Sequence, residues 1–385
     1  MTTTTIDGYF DYAATAPMLP EAITSYADTA REQIGNPSAA HALGQQARQV
    51  LEDARRRISR AVAFDDGRLV FTSGGSESNN LVIRGWLAKH RQGRVLIATD
   101  VHPSIWFATE RFRDRIDVLP LPGAAPIDAR HLVEHLHADT ALVCLSHACN
   151  ETGQVHGVEQ IAHVCQARSI GLLVDGTQAM GHLPVDLSNL VADWYTFSAH
   201  KFGGPRGCGG VFLREASLEA QISGGPQEWQ LRAGTESVAA AVATATALEI
   251  SCARIVAEAD RLRSLTRRCW EGLVAACPAA VCNSDLDEGL PGLLSVSVAD
   301  LPAHEAVVEL GTRGFALATG SACHADQVHP SRTILALGRT PETALGTLRI
   351  SMGYATTAAA VDELTRQLVD VVGAMCPAGA RKGTS

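Results

Sequence analysis

The chain of 385 residues lacks several features that would place it in a specialised class of protein. Its ten cysteines form no C-x-x-C pair and no regular spacing, which excludes a disulfide framework and indicates reduced, cytosolic usage. No uninterrupted apolar stretch approaches the length of a membrane span, and residues 1–5 contain neither a basic region nor an apolar core. We therefore expect a cytoplasmic protein that is neither exported nor inserted in a membrane.

The sequence also lacks an excess of basic residues, because its formal net charge is -9 at pH 7. A broad basic face for direct contact with nucleic acid is therefore not expected. The run Arg55-Arg56-Arg57 falls in a helix predicted over residues 42–63, where such a run is typical of a solvated face. The content of 46% hydrophobic and 19% charged residues is that of a soluble globular enzyme, and the length suggests two or three domains.

Strand-like and helical patterns alternate through about the first 250 residues, which predicts an α/β fold with a mainly parallel sheet. The predicted strands are 69–72, 94–98, 141–146, 171–175, 194–197 and 210–213. An alanine-rich run at 238–248 predicts a core helix, and a charged helical stretch follows at 250–275. Short strands at 292–298 and 315–318, with further helices, predict a smaller α+β domain.

Two of the predicted strands end in groups that suit one cofactor. Asp175 ends the strand 171–175, and Ser198, His200 and Lys201 follow the strand 194–197. Pyridoxal phosphate needs a lysine amine for its Schiff base, a carboxylate to keep its ring nitrogen protonated, and donors for its phosphate. Because ligands of parallel sheets bind at the carboxyl ends of the strands, these four side chains predict a pyridoxal phosphate site.

A phosphate cradle is predicted where the strand 69–72 runs into Gly74-Gly75-Ser76 and then a helical pattern. Glycines let the backbone approach an anion, the free amides of the helix N-terminus point at it, and the Ser76 hydroxyl can add a bond. The motif lacks the lysine of a nucleotide-binding P-loop, and by itself it is equally typical of an ordinary helix start. The predicted cofactor supplies the phosphate that this segment needs.

Polar residues follow two further strands. His102 could stack on a planar cofactor and move protons, and Asn150 could donate to the ring oxygen or to the substrate, although either residue could instead structure its loop. His147 and Cys149 have no second pair of ligands at suitable spacing, so no metal site is expected.

The C-terminal third contributes a thiol and a guanidinium. Cys323 lies among small residues in a predicted loop, where an accessible, partly ionised thiol could act as a nucleophile; the alternative is a buried structural cysteine. Arg349, in the strand-like run 347–351, suits a bidentate grip on a substrate carboxylate or, alternatively, a buried interdomain salt bridge.

These segments, together with residues 9–17 and Gly35-Asn36-Pro37-Ser38, resemble in order and spacing the cysteine desulfurases of the NifS/IscS type. The resemblance covers nearly the whole chain and implies the class V aminotransferase-like version of the pyridoxal phosphate transferase fold, fold type I, as in aspartate aminotransferase. It implies a large cofactor domain at residues 14–251. A small domain would combine residues 1–13 and 252–385 and carry the Cys323 loop.

The resemblance also implies a role for each matching residue. Lys201 would form the Schiff base, His102 would stack on the ring, Asp175 would pair with the ring nitrogen, and Gln178 would contact the phenolic oxygen. The phosphate would be held by Gly75, Ser76, Ser198, His200 and, from the partner subunit of a homodimer, the residue equivalent to Thr235. Arg349, Asn36 and Asn150 would orient L-cysteine, Cys323 would take its sulfur as a persulfide, and His102 would donate protons.

Three positions depart from the common pattern of that family. Ala199 and Ser76 replace a glycine and a threonine, and His324-Ala325-Asp326 follows the nucleophile where many Fe–S cluster enzymes have Thr-Ser. The last difference concerns the acceptor protein, so Fe–S cluster assembly, tRNA thiolation and DNA phosphorothioation of the DndA type all remain open. Alternative functions are a selenocysteine lyase or aminotransferase of the same fold, or a noncatalytic sulfur-carrier scaffold.

Overall fold

The computed structural model describes residues 6–214, 217–320 and 329–376. Within these ranges the helices are α1 (Pro20–Glu32), α2 (Ala42–Ala61), α3 (Gly75–Lys89), α4 (Pro103–Ala108), α5 (Ala129–His135), α6 (Val158–Ala167), α7 (Val238–Ala276), α8 (Ala303–Thr312), α9 (Arg332–Ala336), α10 (Pro341–Leu345) and α11 (Ala358–Met375). The strands are β1 (Arg68–Thr72), β2 (Arg94–Ala98), β3 (Ile116–Leu119), β4 (Thr140–Ser146), β5 (Gly171–Asp175), β6 (Trp194–Ser198), β7 (Gly209–Leu213), β8 (Val281–Cys282), β9 (Leu293–Ser297), β10 (Ala318–Thr319) and β11 (Thr347–Ser351).

The larger sheet has seven strands in the order β1-β7-β6-β5-β4-β2-β3. From β3 to β6 all neighbours are parallel, whereas β7 runs antiparallel to both β6 and β1. The predicted mainly parallel sheet is thus confirmed. Since β1 and β6 both oppose β7, the carboxyl ends of β1, β2, β4, β5 and β6 lie along one edge of the sheet.

The smaller sheet is antiparallel, in the order β10-β11-β9-β8. The N-terminal segment joins it, because Tyr9 forms a β-bridge with Ala316 and Asp11 forms one with Ser351. Phe10, which is fully buried, packs in the hydrophobic cluster of this sheet together with side chains from α8 and α11. The beginning and the end of the chain therefore share one core.

Helix α7 extends over 39 residues and contributes to both large hydrophobic clusters. Its first half, which includes Ala243 and Leu248, packs in the cluster of the larger sheet, and its second half, which includes Leu265 and Leu273, packs in the other. By length and composition it is the one helix among the described residues that could cross a membrane, yet it packs on α1, α2 and α11, as a core helix does.

Three details of the secondary structure differ from the sequence-based expectation. The helical stretches predicted at 238–248 and 250–275 are one continuous helix, so the proposed boundary between residues 251 and 252 falls inside α7. The strand predicted at 315–318 is shorter and lies later, at Ala318–Thr319 (β10). Ala316 precedes it and forms an isolated β-bridge with Tyr9. The short strands β3 and β8 were not predicted, because four and two residues give little periodicity to detect.

Helix α2 shows where a local pattern misleads. Ala47, Leu51, Ala54 and Ile58 recur every three or four residues and are all buried, as the amphipathic pattern requires. The solvated-face interpretation is wrong for Arg55, which is only 8% exposed. Its guanidinium makes two hydrogen bonds of 2.8 Å to the Glu228 carboxylate and stacks on aromatic rings of residues distant in the sequence.

Candidate active site

A pocket of about 570 Å³ opens at the edge of the larger sheet where the carboxyl ends of the strands meet. This size is in the range of small-molecule and cofactor sites. The sequence-predicted residues that line it are Gly75, Ser76, His102, Asn150, Asp175, Gln178, Ser198, His200, Lys201 and Arg349. Segments far apart in the chain thus place in one pocket the lysine, carboxylate, arginine and hydroxyl groups that the sequence analysis singled out.

Three predicted residues are not part of this lining. Asn36 is exposed, and its side-chain oxygen accepts a hydrogen bond from the Ser38 backbone N–H (2.9 Å). Thr235 is also exposed and lies outside the pocket of its own chain. Cys323 lies outside the described residues. The roles assigned to these three residues stay predictions.

Lys201 is held at the pocket floor by the N-terminal segment of the chain. Its Nζ donates hydrogen bonds to the carbonyl oxygens of Ala13 (2.6 Å) and Ala14 (2.9 Å). Burial lowers the pKa of Lys201 to about 8, and the positive charge of Arg349 acts in the same direction, whereas Asp175 and Asp11 oppose the shift. Near neutral pH a useful fraction of the amine is therefore unprotonated, which nucleophilic attack on an aldehyde requires.

This pKa predicts how the apoprotein takes up pyridoxal phosphate. Only the neutral amine reacts, so the second-order rate of Schiff-base formation should rise about tenfold per pH unit well below pH 8 and level off above it. Stopped-flow absorbance of the Schiff-base band would measure the profile. Arg349→Gln should move the midpoint to higher pH, because it removes a positive charge that favours the neutral amine. A midpoint above about pH 10 in the unmodified chain would contradict the prediction.

The start of α3 forms a close-packed concave surface suited to an anion. Gly74, at φ 152°, precedes the helix, and a Cβ there would lie 3.1 Å from Ser198 Oγ. A Cβ on Gly75 would lie 2.7 Å from Thr177 Oγ1. That hydroxyl is buried and has no hydrogen-bond partner among the described residues. Free helix amides and an unsatisfied hydroxyl in one place are what a phosphate group would satisfy.

The acidic side chain in the first turn of α3 is paired within the chain. The Glu77 carboxylate pairs with Arg232 (2.9 Å) and accepts a hydrogen bond from the Ser73 backbone N–H (2.8 Å). Arg206 also lines the pocket and adds a positive charge to it. The electrostatic environment of the helix start therefore remains compatible with an anion.

Asp175 and Gln178 occupy the floor of the pocket and are each 5% exposed. Asp175 Oδ1 accepts a hydrogen bond from the Thr177 backbone N–H (3.0 Å), which fixes the carboxylate at the end of β5. Gln178 Nε2 donates to the Ala13 carbonyl oxygen (2.9 Å). Both side chains are ordered by bonds within the chain while facing the pocket.

Two histidines of the pocket have lowered pKa values. Burial lowers the pKa of His200 to about 4, with Lys201 and Arg206 acting in the same direction, so its ring is neutral at pH 7. His102 is open to the solvent of the pocket on one side, but the enclosing walls and the charge of Lys201 lower its pKa, while Asp175 opposes that shift. Neutral rings can stack and donate single hydrogen bonds.

Arg349 forms an ion pair, but its partner Asp11 belongs to the same predicted small domain, so the pair is not the interdomain salt bridge that was one of its two predicted roles. Its Nη2 forms an ion pair with Asp11 (2.9 Å), and its Nη1 donates to the Asn150 carbonyl oxygen (3.0 Å). The residue is 9% exposed, and its buried Nε has no partner among the described residues. One edge of the guanidinium is therefore held by the protein, and an N–H group remains for a carboxylate ligand in the pocket.

Sequence reasoning assigned no role to several polar residues at the site, namely Asp11, Asn79, Ser104, Thr177 and Arg206. Asn79 carried a detectable signal, because it stands in helical register with buried Val82, Ile83 and Trp86 and is itself only 1% exposed. A polar residue on a buried helix face needs hydrogen-bond partners. Its partners lie 25 to 117 positions away, so the sequence alone could not identify them.

The residues of the pocket fit pyridoxal phosphate. Lys201 supplies an amine with a lowered pKa, Asp175 a fixed carboxylate, and the glycine-rich start of α3 a surface for a phosphate with an unsatisfied Thr177 hydroxyl. These groups would hold the aldehyde carbon, the ring nitrogen and the phosphate, respectively. Arg349 remains for a substrate carboxylate.

Comparisons with known proteins agree with this chemistry. The family model described as Aminotransferase class-V matches residues 8–364. Cysteine desulfurase IscS 1 of Archaeoglobus fulgidus is 33% identical over 370 residues, covering 94% of this chain and 96% of that protein. Cysteine desulfurase IscS of Klebsiella pneumoniae subsp. pneumoniae is 35% identical over 365 residues, covering 92% and 90%.

Solved structures are similar over the same extent. A NifS-like protein matches with a TM-score of 0.87 at 26% identity and covers 95% of this chain and 99% of that one. SspA in complex with cysteine gives 0.79 at 27% identity, with coverage of 91% and 100%. DndA from Streptomyces lividans gives 0.74 at 30% identity, with coverage of 89% and 99%.

Proposed function

The chain belongs to the aminotransferase class-V family and is a cysteine desulfurase that uses pyridoxal phosphate, and we propose that it moves the sulfur of L-cysteine to Cys323 and then to an acceptor protein. The observation that carries the proposal is the position of Lys201, a buried amine with a pKa of about 8, in one pocket with Asp175 and Arg349. The likeness to a structure solved with bound cysteine supports the substrate.

Arg349 and Lys201 have different roles toward the bound amino acid substrate. When bound, pyridoxal phosphate supplies an aldehyde that captures the amino group and a ring that takes up electrons. Arg349 lines the pocket, and the guanidinium N–H groups that do not bond to Asp11 or Asn150 orient the substrate carboxylate. Lys201 removes the α-proton at Nζ, because its lowered pKa makes the neutral amine available near neutral pH.

The proposed sulfur transfer needs no external oxidant. The Cys323 thiolate forms a bond to the substrate sulfur while the bond between that sulfur and the substrate β-carbon breaks. The electron pair of the broken bond stays with the carbon skeleton, which takes up protons and leaves as L-alanine. The sulfur remains on Cys323 as a persulfide, from which a thiol of the acceptor protein can take it.

Incubation with ³⁵S-labelled L-cysteine would test this sequence of steps. We expect equal amounts of L-alanine and protein-bound sulfur in the first turnover, with the label on the peptide that contains Cys323 and released by a reductant. A selenocysteine lyase would instead prefer L-selenocysteine and leave no label on Cys323. An aminotransferase would form a keto acid rather than alanine, and a noncatalytic scaffold would form neither product.

The same labelled protein would identify the acceptor. We propose DNA phosphorothioation of the DndA type as the pathway, supported by the 30% identity to DndA over 89% of this chain. The residues His324-Ala325-Asp326 differ from the Thr-Ser of many Fe–S cluster enzymes. The label should then pass to sulfur-acceptor proteins of that modification system. Preferential transfer to an Fe–S cluster scaffold or a tRNA-thiolation protein would contradict this pathway and leave the desulfurase chemistry intact.

We also propose that the enzyme is a homodimer in which Thr235 of each subunit completes the phosphate site of the other. This is supported by the exposed position of Thr235 and by Thr177, whose hydroxyl remains unsatisfied within the described chain. Sedimentation equilibrium should give twice the mass of the chain, which is 40.7 kDa. Thr235→Ala should weaken cofactor binding in the dimer by about tenfold, the effect of one lost hydrogen bond to a charged group. A monomer with full cofactor affinity would contradict the proposal.

A further inference from the structure

Asn79 forms hydrogen bonds with three elements around the pocket. Its Nδ2 donates to Asp175 Oδ2 (2.9 Å) and to Ser104 Oγ (3.0 Å), and its Oδ1 accepts from Thr196 Oγ1 (2.8 Å). An ionised carboxylate can only accept, so the amide nitrogen must face Asp175 and the amide oxygen must face Thr196. The orientation of the Asn79 carboxamide is therefore determined by its partners.

Ser104, which accepts a hydrogen bond from Asn79, is in turn hydrogen-bonded to the His102 ring. His102 Nδ1 lies 3.1 Å from the backbone N of Ser104 and 2.9 Å from its Oγ. A backbone N–H can only donate, so Nδ1 must be an unprotonated acceptor. The Ser104 hydroxyl already accepts from Asn79, and this leaves its own hydrogen to point at the same nitrogen. A neutral His102 ring consequently carries its proton on Nε2.

We propose that Asn79 and Ser104 are positioning residues that connect Asp175 to His102 and hold His102 as the neutral tautomer with its proton on Nε2. The side chain expected to pair with the ring nitrogen and the side chain expected to stack on the ring are then connected by hydrogen bonds through α3 and the start of α4. The catalytic relevance rests on the proposed function, whereas the tautomer and the connection are properties of the protein without cofactor.

This connection defines what His102 can do. With Nδ1 held as an acceptor, the neutral ring can donate a hydrogen bond from Nε2 but cannot take up a proton there. Protonation at Nδ1 would oppose the Ser104 backbone N–H and require the hydroxyl to turn away. The lowered pKa of His102 agrees with this arrangement; burial is its main cause, and the nearby charges of Lys201 and Asp175 act in opposite directions.

Measuring the His102 pKa in two backgrounds would test the connection. In ¹⁵N-histidine-labelled protein, the His102 signals can be assigned by their loss in His102→Gln among the 14 histidines of the chain. We expect the neutral ring to show an Nε2–H tautomer. Asn79→Ala should raise the His102 pKa by about 0.5 to 1 unit, because the freed Ser104 hydroxyl can then accept from a protonated Nδ1. In the Ser104→Ala background the same substitution should change the pKa little, since Asn79 acts through that hydroxyl.

Two further variants keep the test decisive. Asn80→Ala is the matched control, because Asn80 is the next residue on α3 and its side chain, among the described residues, donates only to the Ser76 carbonyl oxygen (2.9 Å). This variant should leave His102 unchanged. Thr196→Val removes the donor to Asn79 Oδ1 and should shift the His102 pKa in the same direction as Asn79→Ala if the latter does not fold. A proton on Nδ1 of the neutral ring, or an equal effect of Asn79→Ala in both backgrounds, would overturn the proposal.

The outcome can be separated from that of the proposed function. The measurements on the apoprotein need no turnover, so a chain that is inactive on L-cysteine could still show the connection. In the cofactor-loaded enzyme, the acidic limb of the kcat profile should follow the His102 pKa in each variant, and Asn80→Ala should keep the profile of the unmodified chain. A profile that does not move while the His102 pKa does would remove the catalytic part of the proposal.

Discussion

Replacing Lys201 with alanine is expected to lower the turnover of L-cysteine by about 10³-fold or more, the upper range of what one positioned proton-transfer group contributes. Lys201 is the lysine in the pocket, its Nζ is fixed by the carbonyl oxygens of Ala13 and Ala14, and its pKa is lowered to about 8. Arginine would keep the positive charge but not the nucleophile, so Lys201→Arg should be equally inactive. Alanine release, measured by coupled assay, would establish both losses.

The scarcity of lysine makes the control clear. The chain contains three lysines, at positions 89, 201 and 382. Lys89 is exposed at the end of α3, away from the pocket, so Lys89→Ala should retain full activity. Borohydride reduction of the loaded enzyme should modify the peptide that contains Lys201. Modification at another lysine, or an active Lys201→Ala variant, would disprove the assignment of the cofactor-binding lysine.

Replacing Cys323 with serine is expected to abolish sulfur transfer while leaving the cofactor in place. A serine hydroxyl is not ionised near neutral pH and does not accept sulfur, so release of alanine and sulfide should fall by about 10² to 10⁴-fold, the contribution of a positioned catalytic group. The protein should keep its Schiff-base absorbance, because Cys323 is not among the residues predicted to hold the cofactor. A single measurement of absorbance and alanine on the same sample would separate the two effects.

The chain offers a matched control for this substitution. Cys252 is half-buried on α7, outside the pocket, and burial raises its pKa to about 11, so it is a poor nucleophile. Cys252→Ser should therefore retain sulfur transfer. If Cys323→Ser keeps its activity, Cys323 is not the sulfur acceptor, and a selenocysteine lyase or aminotransferase becomes the better assignment.

The sequence predicted best those parts of the site that depend on local pattern. The strand that ends at Asp175 is an apolar run and the strand before Lys201 is rich in aromatic residues, and the rule for parallel sheets places the site at their carboxyl ends. The glycines at the start of α3 were identifiable as a helix start, and the predicted cofactor supplied the phosphate that made them a candidate cradle. Those local rules place most of the predicted residues in one pocket.

Features that depend on distant partners could not be predicted in the same way. The burial of Arg55 depends on Glu228, 173 positions later, and within the sequence of α2 it is indistinguishable from a solvated arginine. The bonds from Asn79 to Asp175 and Thr196 connect three separate elements. Arg349 was predicted with two alternative roles, and its ion-pair partner Asp11, 338 positions earlier, could not be identified from the sequence.

The contacts of residues 9–11 with the C-terminal part of the fold limit when the cofactor site can form during synthesis of the chain. Phe10 belongs to a core whose other members begin at Leu262, and Tyr9 and Asp11 bridge to Ala316 and Ser351. A nascent chain that has emerged to the middle of α7 already exposes all strands of the larger sheet, but Ala316 and Ser351, which bridge to its N-terminal segment, have not yet emerged. Because that segment also positions Lys201, productive capture of the cofactor is expected only after residues up to Ser351 have left the ribosome.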